Sequence, residues 1–267
     1  GYEHNAVTRP LAALGARTTV AAGALFQPEA VLEAFDKAVT PETDAVICCH
    51  VSNVFGFVQP VEEIASFCRE RGVPFIIDAS QSAGALTLDM DALGAAFIAM
   101  PGHKGLYGPQ GTGVLLCSGE APVKTLLEGG TGSQSMSQSM PDFLPDRLEA
   151  GTHNVPGIAG LLAGVRYVQQ RGPENILLRE RRLAQLVSEG LRRLPGVTVY
   201  ANGDLHSQAG VVSFTSRDLG AEEIAAALGE KDIAVRAGLH CAPLAHETVA
   251  MWRPASCVKR SALPVWA

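Results

Sequence analysis

The sequence predicts an α/β fold, in which a mostly parallel sheet is flanked by helices and followed by a smaller α+β unit. Three apolar segments predict buried strands, at residues 45–52, 74–78 and 95–100. Residues 60–72, PVEEIASFCRERG, predict an amphipathic helix that Gly72 closes. A strand, a helix and a second strand in this order form a βαβ unit, so the first two strands are expected to be parallel.

The other elements are predicted from the same periodicities. The opening residues 1–15 have a helix-like apolar face that ends at Gly15, and the tail 249–267 has no clear period. The remaining elements, in chain order, are helix 28–39, strand 113–117, helices 161–172 and 174–194, strands 197–200 and 210–216, helix 221–229 and strand 233–237.

Two units are expected, residues 1–155 as the larger and residues 156–267 as the smaller. A chain of 267 residues with 47% hydrophobic content can bury a full core and divide in this way. Residues 119–154 are rich in Gly, Ser, Gln and Met and precede the boundary. Because this segment is longer than an ordinary connection, it is either a functional loop or a segment that a partner orders.

Composition excludes several classes of function. The net charge of −6 and the pI near 5.7 predict that the protein does not bind nucleic acid. No basic cluster or long apolar run indicates a membrane partner, and the first residues lack a signal-sequence pattern, so we expect a cytoplasmic protein. Six cysteines without a CxxC pair argue against a disulfide framework and against a metal site.

A carboxylate and an amine follow successive predicted strands. Asp78 closes the strand 74–78, and Lys104 follows the strand 95–100 in a segment that is rich in glycine. Ligands of open α/β sheets bind at the carboxyl ends of the strands. An acid that keeps a pyridine protonated and a lysine with a lowered pKa are what an aromatic aldehyde cofactor requires. The alternatives are a turn-forming Asp and a solvated loop Lys.

Other polar residues lie near these strand ends. Gln81 and Asn53 could contact a phenolic oxygen of such a cofactor, His103 a phosphate, and His4 the face of a ring. Each has an ordinary alternative: a helix start for Gln81, an Asx turn for Asn53, and surface positions for the two histidines. His50 is expected to pack in the core.

Cys241 differs from the cysteines in apolar segments. It follows a predicted strand in VRAGLHCAPLAH, with Arg236, His240 and His246 nearby in sequence. Neighbouring imidazoles and a guanidinium would lower the pKa of its thiol and make it nucleophilic. The alternative is an unreactive structural cysteine.

Six segments in a fixed order carry a resemblance to a known family. The chain resembles the class V aminotransferases, which are fold-type I pyridoxal-phosphate enzymes, and among them the cysteine desulfurase and selenocysteine lyase branch. The matching segments are EHN at 3–5, HVSNVFG at 50–56, IDASQSAGA at 77–85, GHKGLYGPQGTGVL at 102–115, EAGTHN at 149–154 and RAGLHCAPLAH at 236–246.

The resemblance implies a role for each candidate residue. Lys104 matches the lysine that binds pyridoxal 5'-phosphate covalently, and Asp78 matches the partner of the pyridinium nitrogen. The other cofactor-binding matches are Asn53 and Gln81 at the phenolic oxygen, His4 stacked on the ring, His103 at the phosphate, and Thr152 at the phosphate of a neighbouring subunit. Cys241 matches the persulfide-forming cysteine, and Arg236 an arginine of the substrate site.

The implied activity is conversion of L-cysteine, or a related amino acid, to L-alanine, with the sulfur transferred to Cys241 as a persulfide. The resemblance also implies a homodimer and a sulfur-acceptor protein for iron–sulfur assembly or thiolation. A selenocysteine lyase and a class V aminotransferase stay open as alternatives. From a different class, the chain could be an impaired fragment or a non-catalytic dimerising partner.

The sequence departs from the family pattern at three places. Pro101 stands where many desulfurases have a serine that contacts the phosphate. The preceding third of the family, with its Gly/Thr phosphate-binding turn, has no counterpart in this sequence. After His246 the tail does not match, and neither Arg253 nor Arg260 falls where the family has its substrate-carboxylate arginine. We therefore expect a fragment that retains the cofactor weakly.

Overall fold

The computed structural model describes residues 1–204, 206–251 and 255–259. Its α-helices are α1 (Asn5–Ala13), α2 (Pro28–Ala38), α3 (Val61–Glu70), α4 (Met90–Leu93), α5 (Val155–Arg171), α6 (Pro173–Arg192), α7 (Ala221–Gly229) and α8 (Pro243–Thr248). Its strands are β1 (Val46–Cys49), β2 (Phe75–Asp78), β3 (Phe97–Pro101), β4 (Gly113–Cys117), β5 (Val197–Tyr200), β6 (Val211–Ser216), β7 (Arg236–Gly238) and β8 (Ala255–Lys259). A short 3₁₀ helix spans Asp146–Leu148.

The first sheet has the strand order β1-β2-β3-β4. β1, β2 and β3 are parallel, with Cys49 beside Asp78 and Asp78 beside Ala99, which confirms the predicted α/β arrangement. β4 instead runs antiparallel to β3, with Pro101 opposite Gly113. A glycine-rich turn joins these two strands without a crossover helix, and a parallel connection would require one.

The main core lies around this sheet. Fully buried aromatic side chains include Phe55, Phe57 and Phe75, and Tyr2 from the start of the chain packs edge-on against Phe57 with ring centroids 5.5 Å apart. The hydroxyl of Tyr2 donates a hydrogen bond of 2.8 Å to the carbonyl of Gly23. These contacts fix the N-terminal residues on the sheet.

The second sheet has the order β5-β6-β8-β7 and is antiparallel. β8 belongs to the tail in which the sequence shows no periodicity, and it pairs with both β6 and β7. Arg253 and Arg260 lie outside the described residues. The two sheets stand on either side of α5 in the chain, and the division between residues 155 and 156 stays a prediction.

The helices α5 and α6 differ in detail from the sequence patterns. α5 begins at Val155, ahead of the predicted residue 161, although Pro and Gly occupy its first turns. On α6 the predicted apolar face is only partly buried: Leu177 is buried, whereas Leu183 and Leu186 are 45% and 59% exposed. In the part of the chain that the structure describes, no helix has the length and apolar character to cross a bilayer.

Candidate active site

The carboxyl ends of β1, β2 and β3 lie at one edge of the first sheet. Asp78 is the last residue of β2, and its carboxylate accepts a hydrogen bond of 2.9 Å from the N–H of Ser80. The N–H of His50, directly after β1, donates to the main-chain carbonyl of Asp78 at 2.9 Å. Lys104 lies three residues after β3. Parallel pairing therefore brings the ends that carry Asp78 and Lys104 side by side.

Lys104 is half-buried, and its pKa is lowered. The main cause is burial, which disfavours the ammonium form, while the negative charge of Asp78 acts in the opposite direction. The two side chains are thus close enough to interact electrostatically. A lysine with a lowered pKa holds a larger fraction of neutral, nucleophilic amine at a given pH.

Two loops pack backbone against backbone beside these residues. Gly84, in the turn after β2, has φ +88° and lies against the main chain of Gly105, and the backbone of Gly105 likewise lies against the carbonyl of Ala83. A Cβ atom at either glycine would overlap a carbonyl oxygen. The turn that follows Asp78 and the turn that contains Lys104 therefore form one packed unit.

Glycines of α5 support the lysine loop from the other side. Gly157, Gly160 and Gly164 are spaced three and four residues apart, so they share one face of the helix. A Cβ at Gly164 would overlap the carbonyl of Leu106, and a Cβ at Gly160 would meet Pro109 at 3.1 Å. Sequence reasoning missed this contact, although the small-residue spacing in VPGIAGLLAG was its signal.

Asn53 lies in a fully buried turn after β1 and is 6% exposed. Its Nδ2 donates a hydrogen bond of 2.8 Å to the main-chain carbonyl of His240, while its Oδ1 has no hydrogen-bond partner. An amide NH₂ carries two hydrogens, so one donor position remains beyond the bond to His240. The turn thus joins the edge of the first sheet to the loop that contains Cys241.

Cys241 is exposed, in contrast to Cys48, Cys49 and Cys68, which are buried. Burial raises the pKa of all three buried thiols, and that of Cys68 reaches about 11. Cys241 follows β7, and its carbonyl accepts a hydrogen bond of 2.7 Å from the N–H of Asn5 at the start of α1. Among these four thiols, only Cys241 is accessible to a substrate.

The structure corrects one part of the sequence argument for Cys241. His240 and His246 are both buried, with their rings stacked at a centroid distance of 6.3 Å. Burial lowers the pKa of His246, although the backbone of Leu239 acts in the opposite direction. A histidine with a lowered pKa is neutral at pH 7, so His246 does not supply the positive charge that its sequence position suggested.

The remaining candidates have varied surroundings. His4 caps α1, where its Nδ1 accepts a hydrogen bond of 3.0 Å from the N–H of Ala6. Gln81 is half-buried in the turn after Asp78. The exposed candidates are His103, Thr152 and Arg236, the last at the start of β7. His50 is buried as expected, and its pKa falls to about 4 because of burial.

The donor set fits pyridoxal phosphate at the ring and aldehyde end. Lys104 offers an amine with a lowered pKa, Asp78 a carboxylate at a strand end, and Asn53 a buried amide whose NH₂ has a second hydrogen beyond its bond to His240. These are the groups that an aldehyde, a pyridine nitrogen and a phenolic oxygen require. Among the described residues, no group of three or more potential metal ligands occurs.

Comparisons with known proteins agree with this geometry. The family model described as aminotransferase class-V matches residues 1–262. A probable cysteine desulfurase of Pyrococcus abyssi is 39% identical over 197 residues, which are 72% of this chain and 49% of the relative. A probable cysteine desulfurase of Xylella fastidiosa is 36% identical over 215 residues, 79% of this chain and 51% of the relative. The chain thus spans about half the length of these curated relatives.

Solved structures give the same result. A cysteine desulfurase from Thermococcus onnurineus NA1, in its apo form, is 32% identical with a TM-score of 0.82, and the match covers 97% of this chain and 66% of that one. The cysteine desulfurase CsdA of Escherichia coli has a TM-score of 0.85 at 24% identity over 97% of this chain and 65% of its own, which shows a common fold. From the fold, the strand-edge residues and the family match over residues 1–262, the chain belongs to the aminotransferase class-V family.

Proposed function

We propose that this chain acts as a pyridoxal-phosphate-dependent cysteine desulfurase, which converts L-cysteine to L-alanine and takes up the sulfur on Cys241 as a persulfide. The observation that carries the proposal is the position of Cys241. Cys241 is exposed, and its loop is hydrogen-bonded, through the carbonyl of His240, to Asn53 at the same sheet edge as Asp78 and Lys104. An accessible thiol in a loop that is hydrogen-bonded to this edge favours sulfur transfer over simple transamination.

Each candidate residue has its own role in the proposed reaction. Pyridoxal phosphate, when bound, supplies an electron sink for the charge left at the α-carbon of an amino acid. Asp78 would hold a proton at the ring nitrogen, and Asn53, Gln81 and His4 would orient the ring. Lys104 in its neutral form accepts the α-proton, since its lowered pKa keeps the amine available as a base.

Cys241 carries the sulfur-transfer step. Its thiolate attacks the sulfur of the substrate, so an S–S bond forms as the Cβ–S bond breaks. The electron pair of the broken bond stays on the carbon skeleton, which takes up a proton and leaves as alanine. The sum of thiol and cysteine thus equals persulfide and alanine, without an external oxidant. Arg236 would help to form the substrate site.

A second copy of the chain is part of the proposal. Thr152 is exposed in the long segment before α5, where it could reach the phosphate site of a neighbouring subunit together with His103 of that site. Leu126 and Met136 in the same segment are 95% and 98% exposed, which suits a surface that a partner covers. We propose a homodimer, a sulfur-acceptor protein as the later partner and a cytoplasmic location.

The test is the product balance with L-cysteine at saturating pyridoxal phosphate. The proposal expects alanine and, with a reducing thiol present, an equal amount of sulfide. Cys241→Ala should abolish sulfide release from cysteine. Amino-group transfer to a keto acid by this variant and by the wild type, without sulfide from either, would instead indicate an aminotransferase. No product from the wild type would support a non-catalytic role and overturn the proposal.

A further inference from the structure

We propose that Asn53 and the first amide of α1 together act as a clamp that positions the Cys241 loop, an inference that rests on the proposed function of Cys241. Asn53 donates to the carbonyl of His240 at 2.8 Å, and the N–H of Asn5 donates to the carbonyl of Cys241 at 2.7 Å. Two successive carbonyls of one loop are thus held from two separate places, the turn after β1 and the start of α1.

The loop has a backbone conformation that needs such support. His240 and Cys241 have φ +53° and +56°, so two successive non-glycine residues lie in the left-handed region. This region is unfavourable for residues with a Cβ atom, and such residues persist where surrounding contacts over-determine them. The two carbonyl bonds, with the bond from the N–H of Ala242 to the carbonyl of Leu239 at 3.0 Å, provide these contacts.

Both donors are themselves firmly placed. Asn53 lies between Ser52 and Val54, which are 0% exposed, and the bond that it makes is fully buried. Asn5 begins α1 three residues after Tyr2, whose ring is 2% exposed and packs against Phe57. The Sγ of Cys49 also lies 3.4 Å from the carbonyl of Tyr2. A rigid donor restricts the loop more than a mobile one, so the clamp can hold the thiol at one place.

The clamp also connects two parts of the site. His4 and Asn53 are both proposed cofactor ligands. Asn53 itself, and Asn5 directly after His4, donate the hydrogen bonds that hold the Cys241 loop. The position of Cys241 is therefore set by the same elements that would orient the cofactor ring. A shift of one would move the other, and small shifts at a reacting atom have large effects on rate.

Amide hydrogen exchange of the full chain, measured without cofactor or substrate, tests the clamp. Asn53→Leu removes one donor. Asn5→Pro removes the other, and proline suits the first position of a helix, while His4 before it has φ −75° and ψ 154°, which proline tolerates in its predecessor. Either change should speed exchange in the peptide 239–246 at least about fivefold, as expected for one lost hydrogen bond. Exchange in β2 reports any global loss of stability, and it should accelerate less than exchange in peptide 239–246.

Gln59→Leu is the matched control. Gln59 is 3% exposed in the same turn region, and its amide nitrogen has no hydrogen-bond partner, so its removal should leave peptide 239–246 unchanged relative to β2. Equal acceleration in Gln59→Leu and Asn53→Leu would overturn the clamp. Unchanged exchange in Asn53→Leu would do the same.

A pH-dependent variant provides a second readout. Asn53→Asp places a carboxylate against the carbonyl of His240, which repels it, but the protonated acid offers a hydroxyl donor. Protection of peptide 239–246 in this variant, relative to β2, should recover as the pH falls, whereas Asn53→Leu should show no recovery. Identical pH profiles for the two variants would contradict the clamp.

The activity readout separates this inference from the proposed function. If the chain desulfurates cysteine, Asn5→Pro should lower kcat for alanine formation about tenfold or more with little change in KM, because the thiol is misplaced while substrate binding is retained. An unchanged kcat with faster loop exchange would overturn the positioning role. Absence of alanine in the wild type would sink the desulfurase proposal, while the exchange result would still decide whether the clamp exists.

Discussion

The main chain of Gly84 lies directly against the main chain of Gly105, so the turn after Asp78 and the turn around Lys104 have no room for a side chain between them. Neighbouring parallel strands bring the two turns to the same edge of the sheet. The close approach then fixes their separation. Placement of the acid relative to the amine thus depends on two residues that have no functional group.

Gly84→Ala should destabilise the fold by roughly 2 kcal/mol or more, because it adds an overlap with Gly105 to the strain of φ +88°. Gly111→Ala is the control: its φ is +75°, but nothing lies within 4 Å of the added methyl group. The control should cost about 1 kcal/mol, from backbone strain alone. Urea unfolding of both variants measures the difference, and equal losses would show that the overlap is relieved without cost.

A second glycine pair tests the support of the lysine loop by α5. Gly164→Ala should destabilise the protein, since the methyl group would overlap the carbonyl of Leu106. Gly190→Ala, inside α6 and with open space around it, should stabilise the protein by about 1 kcal/mol because alanine is the better helix former. Thermal unfolding should therefore show a lower Tm for Gly164→Ala and a higher Tm for Gly190→Ala. Stabilisation by both substitutions would contradict the contact.

Asp78→Asn should lower the pKa of Lys104 further. The charge of Asp78 raises this pKa against the larger effect of burial, so its removal leaves burial unopposed. The pH profile of amine modification at Lys104, followed by peptide mass spectrometry with exposed Lys37 as internal reference, should move to lower pH. A profile that stays in place or moves to higher pH would show that the two groups do not interact as described.

The same lowered pKa has a consequence for stability. Between the folded value and the ordinary value of 10.5, the unfolded chain binds more protons at Lys104 than the folded chain does. Stability contributed through this group therefore rises with pH across that window.

His50 should make the protein acid-sensitive. Its pKa is about 4 in the fold against an ordinary value of 6.5, so the unfolded chain binds more protons between these values and stability falls as the pH falls. The loss from this group at pH 5 is about 2 kcal/mol. His50→Leu should remove this part of the slope, while His246, whose pKa is also lowered, retains its own. Urea midpoints at pH 7 and pH 5 measure this pH dependence of stability in the wild type and in the variant. An equal loss of stability in the two proteins would contradict the buried, neutral state of His50.

Cofactor retention is expected to be weak, because Pro101 offers no hydroxyl to the phosphate where many desulfurases have a serine. Gel filtration of the loaded chain should separate most of the pyridoxal phosphate from the protein, and borohydride added before that step should fix it on Lys104. Lys104→Arg, which keeps the charge, serves as the control without an attachment point. A stoichiometric adduct that survives gel filtration without borohydride would overturn this expectation.

Much of the fold followed from local patterns in the sequence. The apolar segments that become β1, β2 and β3 are short and bounded by turn residues, and this pattern was sufficient to predict them as buried strands. β8 was missed because antiparallel pairing with β6 and β7 defines it, and its own residues have no clear pattern. The early start of α5 was missed because its glycines, which weaken a helix in isolation, are required for contact with the lysine loop.

The candidate site likewise has features that could be predicted from the sequence and features that could not. Asp78 and Lys104 could be predicted as candidates because ligands of open α/β sheets bind at the carboxyl ends of the strands. The hydrogen bond from Asn53 to the carbonyl of His240 joins residues that are 187 positions apart, so it could not be predicted from the residues next to either of them. The burial of His246 likewise depends on packing against Phe55 from a distant turn, so its neutral state could not be read from its neighbours in sequence.

The most direct test of the central claim is the mass of the peptide that contains Cys241 after incubation of the chain with L-cysteine and pyridoxal phosphate. The account predicts a gain of one sulfur atom on Cys241, in step with one alanine released, and no such gain on Cys117. Alanine released without sulfur on Cys241, or a wild-type chain that yields neither, would contradict it.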